Sequence, residues 1–239
     1  MTRICLWSGP RNVSTALMYS FAQRSDTVVA DEPLYAHYLR VTDAGHPGQA
    51  EILRSQNPDG AQVVQQVLLG AYASPVVFFK HMAHHLVDLD EGFLAQMRNV
   101  LLIRHPAEVI ASFSKVIAQP VLRDIGIARQ AALLETLDRM GLPAVIVDGS
   151  DLLRDPARML EALCHALDIP FEPAMLHWPP GPRPEDGIWA PYWYAQVHRS
   201  SGFEPWKPHP RQVPPHLQPL LEEAMTHYGR VYARALQTG

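Results

Sequence analysis

Five short apolar segments without charged residues constrain the fold of this 239-residue chain more than any other feature. Continuous apolar runs of this length predict strands that are buried on both faces, as in a parallel sheet. Segments with helical periodicity lie between them, and this alternation predicts a three-layer α/β fold with a central, mostly parallel five-stranded sheet flanked by helices. The predicted strands are Ile4–Trp7, Thr27–Ala30, Val76–Phe79, Val100–Ile103 and Ala144–Val147.

The rest of the chain predicts a single domain over residues 1–239 with an irregular segment near its end. More than half of the 22 prolines, and four of the five tryptophans, fall between residues 170 and 219. Disordered linkers rarely hold so many aromatic residues, so we expect residues 170–212 to form an ordered cap over the sheet. The predicted helices are Ser14–Arg24, Gly60–Ala71, Glu91–Met97, Ala107–Val116, Ile125–Met140, Pro156–Leu167 and Pro215–Leu236.

Charge and cysteine content exclude several classes of protein. The formal charge of −4 argues against nonspecific binding to nucleic acid. The two cysteines, Cys5 and Cys164, form no metal motif, and they favour a reducing cytoplasm over an oxidising compartment. We expect neither a signal peptide nor a membrane span, because the chain enters a strand at once and no apolar run approaches about 18 residues.

The first predicted strand leads directly into the sequence Ser8-Gly-Pro-Arg-Asn-Val-Ser-Thr15, after which a helix is predicted. Such a turn presents backbone N–H groups at the positive end of a helix dipole, which suits a phosphate-like anion. Arg11, Ser14 and Thr15 add side-chain donors at the same place. The loop lacks the second glycine and the Lys-Ser/Thr pair of a Walker loop.

A second candidate anion site follows the fourth predicted strand. Arg104 ends that strand, Pro106 suits the first position of the next helix, and Ser112 lies about two turns further on. A guanidinium and a hydroxyl at this spacing can converge on one phosphate. The alternative is that Arg104 pairs with a structural carboxylate and that Ser112 packs within its helix.

Three segments together resemble the sulfotransferases that use 3′-phosphoadenylyl sulfate (PAPS). Ser8–Thr15 resembles the loop with which that family binds the 5′-phosphosulfate. The sequence Arg104-His-Pro-Ala-Glu-Val-Ile-Ala-Ser112 resembles its 3′-phosphate motif, and Asp151-Leu-Leu-Arg-Asp-Pro156 resembles the segment after its last parallel strand. The segments occur in the family's order, and the resemblance covers roughly residues 4–170.

The resemblance implies a P-loop-like fold and the in-line transfer of a sulfuryl group from PAPS to an acceptor hydroxyl or amine, with no metal. Arg11 would contact the 5′-phosphate and the leaving oxygen, and Arg104 and Ser112 would bind the 3′-phosphate. The usual Arg-Lys-Gly near the family's C-terminus is missing; Arg199 and Ser201 are candidates to replace it, or belong to an ordinary surface loop. The implied donor-binding residues are Gly9, Pro10, Arg11, Asn12, Val13, Ser14, Thr15, Arg104, Ser112, Arg199 and Ser201.

Two residues are candidates for the base that takes the acceptor's proton. Glu32 follows the second strand, where carbohydrate sulfotransferases that the chain resembles carry a catalytic Glu. His81 follows Lys80 at the end of the third strand, although the family's pattern is Lys-x-His. Histidine has the pKa suited to neutral proton transfer, whereas Glu32 needs its pKa raised. We rank Glu32 slightly above His81 and place His84 and His85 partly at the surface; a metal site at His81, His84 and His85 is the less favoured alternative.

The acceptor and the partners stay open at this point. Residues 170–212 are expected to shape the acceptor pocket, in which Trp189, Tyr192, Trp193 and Tyr194 offer stacking faces for a small molecule or a carbohydrate. The last helix is expected to pack on the sheet or in a homodimer. The alternatives to a sulfotransferase are a P-loop-type kinase that needs Mg²⁺, a sulfotransferase relative that binds nucleotide without turnover, and a protein that binds a partner through its cap.

Overall fold

Five parallel strands form the centre of the computed structural model, which describes residues 1–114, 119–206 and 212–237. The sheet order is β2-β3-β1-β4-β5, so β1 lies in the middle with β3 and β4 as its neighbours. The predicted parallel sheet is therefore confirmed. The strands are β1 (Thr2–Ser8), β2 (Thr27–Asp31), β3 (Val76–Met82), β4 (Arg98–Ile103) and β5 (Ala144–Asp148).

Helices cover both faces of the sheet and complete a three-layer α/β fold. They are α1 (Ser14–Phe21), α2 (Tyr35–Thr42), α3 (Gln49–Ser55), α4 (Gly60–Val63), α5 (Pro106–Phe113), α6 (Leu122–Ile125), α7 (Ile127–Arg139), α8 (Gly149–Arg154), α9 (Pro156–Ala166), α10 (Ala190–Trp193) and α11 (Gln218–Tyr232).

Side chains alternate between the two faces of each strand, and each face has its own core. Leu6 and Phe78 point toward α1 and α9 on one face. Trp7 and Phe79 point toward α5, α7 and α11 on the other face. Because all strands are parallel, the loops that follow them meet at one edge of the sheet, where ligands bind in open α/β folds.

The structure differs from the predicted elements mainly between β2 and β4. Helices α2 and α3 were not predicted, since polar and aromatic residues interrupt the apolar pattern there. The predicted helix Gly60–Ala71 is α4 followed by a π-helical turn, Val64–Leu68. The predicted helix Glu91–Met97 is a 3₁₀ helix, Glu91–Gln96. Asp90 caps its N-terminus, and the Asp90 carboxylate accepts a hydrogen bond from the backbone N–H of Gly92. Residues 115 and 116 of the predicted helix Ala107–Val116 lie outside the described residues.

The described part of the Pro- and Trp-rich segment contains three short helical turns, Pro173–Leu176, α10 and Val197–Arg199, and an antiparallel bridge between His177 and Gly202. Trp189 and Tyr194 of this segment are buried against α2 and α3. Residues 207–211 of the predicted cap lie outside the described residues, and the single-domain organisation stays a prediction. The C-terminal helix α11 follows a 3₁₀ turn, Pro215–Leu217, and packs on α7 and α5. No described helix has the length and apolar character needed to cross a membrane.

Candidate active site

The loop after β1 makes a tight turn that is held by its neighbours. Arg11 has a φ of 55°, in the left-handed region that non-glycine residues rarely adopt. The side-chain amide of Asn12 donates to the carbonyl of Leu102 at 3.0 Å and so ties the loop to β4. Gln130 on α7 donates to the carbonyls of Trp7 and Leu102, at the ends of β1 and β4. No pattern in the sequence indicated that Gln130 would support this loop.

The structure brings three of the predicted donor-binding residues together. Arg11 Nε donates to Ser112 Oγ at 2.9 Å, and Arg104 Nη1 donates to the carbonyl of Arg11 at 2.6 Å. Arg104 Nε also donates to Glu108 at 3.0 Å, so the pairing with a carboxylate that we considered as an alternative is present as well. Pro106 begins α5, as predicted. Two guanidinium groups and a hydroxyl therefore share one side of the loop.

The first turn of α1 offers further donors to the same space. Its N-cap residue is Val13, whose side chain cannot satisfy the first N–H groups of the helix. No hydrogen bond in the described part of the chain uses the hydroxyls of Ser14 and Thr15. Gly9 and Pro10 complete the turn. Gly126, which has a φ of 80°, packs against Pro10 so closely that a Cβ at this position would lie 2.7 Å from Pro10 Cδ. The loop thus combines free backbone and side-chain donors with a fixed shape.

Arg199 and Ser201 are not joined to this group by any described hydrogen bond. Both residues are exposed, and Arg199 ends the 3₁₀ turn Val197–Arg199. The segment is held instead by Trp178, whose backbone N–H donates to the carbonyl of Ser201. Their predicted role at the 3′-phosphate stays a prediction.

A buried charge cluster lies at the ends of β2 and β3. Lys80 Nζ donates to Asp31 Oδ1 at 2.9 Å, to Glu32 Oε1 at 2.5 Å and to Tyr194 Oη at 2.6 Å. The hydroxyl of Tyr194 donates in turn to Asp31 Oδ2 at 2.7 Å and accepts from Trp189 Nε1. All three N–H groups of the ammonium are therefore used, and the cap is tied to the sheet through this cluster.

The pKa values of Glu32 and Lys80 are both raised in this cluster, but for different reasons. Burial raises the pKa of Glu32, and the negative charge of Asp31 adds to this, while Lys80 opposes it. Burial alone would lower the pKa of Lys80, but Asp31 and Glu32 raise it well above its ordinary value. Glu32 has a φ of 43° and, like Arg11, a backbone conformation that costs on the order of 1 kcal/mol. Asp43, Asp88 and Asp168 have the same kind of conformation outside the site, so the strain by itself does not mark Arg11 and Glu32 as functional.

His81 lies on the opposite face of β3 from Lys80. Its ring is fully buried and stacks on Trp7, with 4.5 Å between the ring centroids. Neither ring nitrogen has a hydrogen-bond partner in the described part of the chain. Burial, helped by Lys80, lowers its pKa to about 3. His81 is therefore a neutral ring within the core, separated by the sheet from the Lys80 side chain.

The buried His81 predicts a loss of stability in acid. The unfolded chain takes up the proton near the ordinary pKa of about 6.5, whereas the folded chain does so only near 3. The free energy of unfolding should therefore fall as the pH drops below about 6.5, by up to ~1.4 kcal/mol per pH unit for this residue. We expect the free energy of unfolding in urea to fall less between pH 7 and pH 5 in His81→Phe than in the wild type.

An exposed histidine provides the control for this prediction. His165 on α9 is exposed, and we expect His165→Gln to keep the pH dependence of the wild type. An unchanged difference between pH 7 and pH 5 in His81→Phe would contradict the burial of a neutral His81.

His84 and His85 follow β3 in a 3₁₀ turn, Ala83–His85. His84 is partly exposed, as expected, whereas His85 is only 1% exposed, contrary to the expectation. Burial lowers the pKa of His84 to about 4. Within the ranges that the structure describes, no group of three or more metal-ligating side chains is assembled.

The chain belongs to a sulfotransferase family. The family model described as "Sulfotransferase domain" matches residues 2–235. This match covers the anion loop, the Arg104 motif and the buried cluster together.

Two curated proteins from Arabidopsis thaliana are similar in sequence to this chain. They are named branched-chain-amino-acid aminotransferase-like proteins 1 and 2, and they are 40% and 38% identical to this chain over 93% and 95% of its length. The chain spans about two fifths of the length of these relatives (40% and 41%). Their names describe proteins that are much longer than the matched part.

Solved sulfotransferase structures share the fold. The sulfotransferase domain of the Synechococcus PCC 7002 olefin synthase is 19% identical, with a TM-score of 0.56 over 99% of this chain and 96% of its own. The sulfotransferase domain from the curacin biosynthetic pathway is 18% identical, with a TM-score of 0.55 over 99% of both chains. A sulfotransferase from Alicyclobacillus acidocaldarius is 11% identical, with a TM-score of 0.56 over 99% of this chain and 97% of its own. At these identities the likeness shows the fold, which in these proteins is P-loop-like.

Proposed function

We propose that this chain transfers a sulfuryl group from PAPS to a small-molecule or carbohydrate acceptor, with Glu32 as the base. The observation that carries the proposal is the convergence of Arg11, Arg104 and Ser112 beside the uncapped first turn of α1. This donor set fits a ligand with two separate phosphate groups. The loop and α1 would hold the 5′-phosphate, and Arg104 and Ser112 would hold the 3′-phosphate.

When bound, the donor supplies a sulfuryl group that is already attached to a phosphate leaving group. Arg11 and the N–H groups of α1 stabilise the negative charge that develops as the sulfur–oxygen bond to that phosphate breaks. Glu32 takes the proton from the acceptor as the new sulfur–oxygen bond forms. Glu32 and the loop lie two strands apart, about 10 Å, since adjacent strands are about 4.8 Å apart.

Two observations favour Glu32 over His81 as the base. Glu32 Oε1 is held by Lys80, and Oε2 accepts no hydrogen bond from the described residues. The raised pKa of Glu32 brings proton transfer closer to neutral pH. His81, by contrast, is packed on Trp7 with no exposed surface.

The cap residues divide into two groups in the structure. Trp189 and Tyr194 are buried, whereas Tyr192 and Trp193 are about half exposed (49% and 50%). We therefore propose Tyr192 and Trp193 as the stacking faces for an acceptor. A homodimer and a cytoplasmic location stay predictions.

Calorimetric titration with adenosine 3′,5′-bisphosphate, the product left by PAPS, tests the donor site. We expect binding without metal and much weaker binding of ADP with or without Mg²⁺, because ADP offers no 3′-phosphate. We expect Arg104→Ala to weaken bisphosphate binding by about 1.5–3 kcal/mol, the range for hydrogen bonds to charged groups.

Arg98 provides the matched control. It is the first residue of β4 and is exposed, whereas Arg104 follows the last residue of the same strand, at the other end of the sheet. Arg98→Ala should bind like the wild type. Full affinity in Arg104→Ala would remove the 3′-phosphate assignment, and Mg²⁺-dependent ADP binding without preference for the bisphosphate would support a kinase instead.

A further inference from the structure

The side chain of Arg104 is held by a carboxylate that is itself held by a buried hydroxyl. Arg104 Nε donates to Glu108 Oε2 at 3.0 Å, and Glu108 lies in the first turn of α5. The side chain of Glu108 is 11% exposed, less than half the exposure of the Arg104 side chain, which is 27%. The hydroxyl of Ser150 donates to the same carboxylate, at 3.3 Å from Oε1 and 3.2 Å from Oε2. Glu108 therefore links the guanidinium of Arg104 to the start of α8.

Ser150 is in turn fixed by the end of β5. Its backbone N–H donates at 2.8 Å to Oδ1 of Asp148, which is the last residue of β5 and the N-cap of α8. Tyr228 on α11 donates to the other oxygen of Asp148, Oδ2, at 3.0 Å. Asp148 and Ser150 are 2% and 3% exposed. Buried polar groups with several partners form a rigid network, so Ser150 holds the Glu108 carboxylate in one place.

These contacts fix the direction of the Arg104 guanidinium. Its Nε donates to Glu108, and its Nη1 donates to the carbonyl of Arg11 at 2.6 Å. Among the described residues, no hydrogen-bond partner is found for Nη2. Because a guanidinium is planar and rigid, holding two of its nitrogens also sets the direction of the third. Nη2 is thereby left for an oxygen of a bound phosphate.

We propose that Glu108 is a positioning residue for the 3′-phosphate of PAPS, which orients Arg104 without touching the donor. This inference rests on the proposed function. The pairing of Arg104 with a carboxylate, an alternative to phosphate binding at the level of sequence, then belongs to the phosphate site. The charge of Glu108 acts in the opposite direction, because a carboxylate 3.0 Å from Arg104 repels a nearby anion. Glu108 favours binding because the orientation of Arg104 outweighs this repulsion.

Orientation and charge predict opposite effects of removing Glu108. In Glu108→Ala, the loss of a negative charge alone would tighten binding of adenosine 3′,5′-bisphosphate. We expect calorimetric titration to show binding that is weaker by about 10-fold, the lower end of what the loss of an orienting partner costs at metal sites. Glu108→Met, which keeps the volume of the side chain, should weaken binding in the same way. Glu108→Gln keeps an acceptor for Arg104 Nε and should bind the bisphosphate at least as tightly as the wild type.

A double-mutant cycle tests whether Glu108 acts through Arg104. In the Arg104→Ala background, Glu108→Ala should no longer weaken bisphosphate binding, because no guanidinium is left to orient. Adenosine 5′-phosphate, which lacks the 3′-phosphate, should displace the bisphosphate with the same affinity constant in Glu108→Ala as in the wild type. The control is Glu135→Ala on α7, which removes a carboxylate that is 59% exposed and paired with Arg230, and which should bind the bisphosphate like the wild type.

The outcomes separate this inference from the proposed function. Bisphosphate binding that is unchanged or tighter in both Glu108→Ala and Glu108→Met would overturn this inference alone. An equal loss in Glu108→Gln, or a loss that persists in the Arg104→Ala background, would do the same. If the wild type did not prefer the bisphosphate over adenosine 5′-phosphate, or if Arg104→Ala bound it with full affinity, the 3′-phosphate site would fail and this inference with it.

Discussion

Replacing Lys80 by methionine is expected to destabilise the protein by about 3–5 kcal/mol, the range for breaking a buried ion pair. The side chain of Lys80 is 2% exposed, and its ammonium lies between the carboxylates of Asp31 and Glu32. Removing it leaves two like charges facing each other without water. Urea unfolding at pH 7 measures the loss. The loss should shrink as the pH falls, because protonation of Glu32, whose pKa is raised by burial, removes the repulsion between the carboxylates.

An exposed ion pair provides the comparison. Arg230 and Glu135 are 3.1 Å apart, with side chains that are 57% and 59% exposed. Water screens such a pair, so Arg230→Met should cost no more than about 0.5 kcal/mol. If Lys80→Met were as stable as Arg230→Met, the buried cluster would not be the anchor between the cap and the sheet that its contacts indicate.

The sheet was predictable from the sequence because the central segments of its strands are apolar, uncharged and buried on both faces. All five predicted strands lie within observed ones, and the structure only extends their ends. The meeting of Arg11 with Arg104 and Ser112 was also predictable in outline, since each follows a strand and parallel strands end at one edge. The resemblance to a family supplied the expected ligand.

The buried cluster was not predictable in the same way. Tyr194 is 114 residues from Lys80 in sequence, and no local pattern links the two. His85 was expected to be partly exposed, but its ring stacks on Tyr35 and Tyr38 and is buried. Contacts between residues distant in sequence decide these positions, and a local reading of charge and periodicity does not contain them.

Glu32→Gln is expected to reduce transfer by about 10²–10⁴-fold, the usual contribution of a general base. Glutamine keeps the shape of the side chain but cannot accept the acceptor's proton. The wild-type rate should fall as the pH drops through the raised pKa of Glu32, because only the ionised carboxylate acts as a base. The variant should lack this decline. Bisphosphate binding should be unchanged, which shows that the donor site is still folded.

Two further variants make the assignment specific. Glu51→Gln changes an exposed carboxylate on α3 and should transfer at the wild-type rate. His81→Phe keeps the stack on Trp7 and should also retain transfer, because a fully buried ring with a pKa of about 3 has no route to the acceptor's proton. The opposite pattern, with transfer kept in Glu32→Gln and lost in His81→Phe, would make His81 the base. In that case the sheet would have to open for the reaction, since His81 and the Lys80 cluster lie on opposite faces of β3.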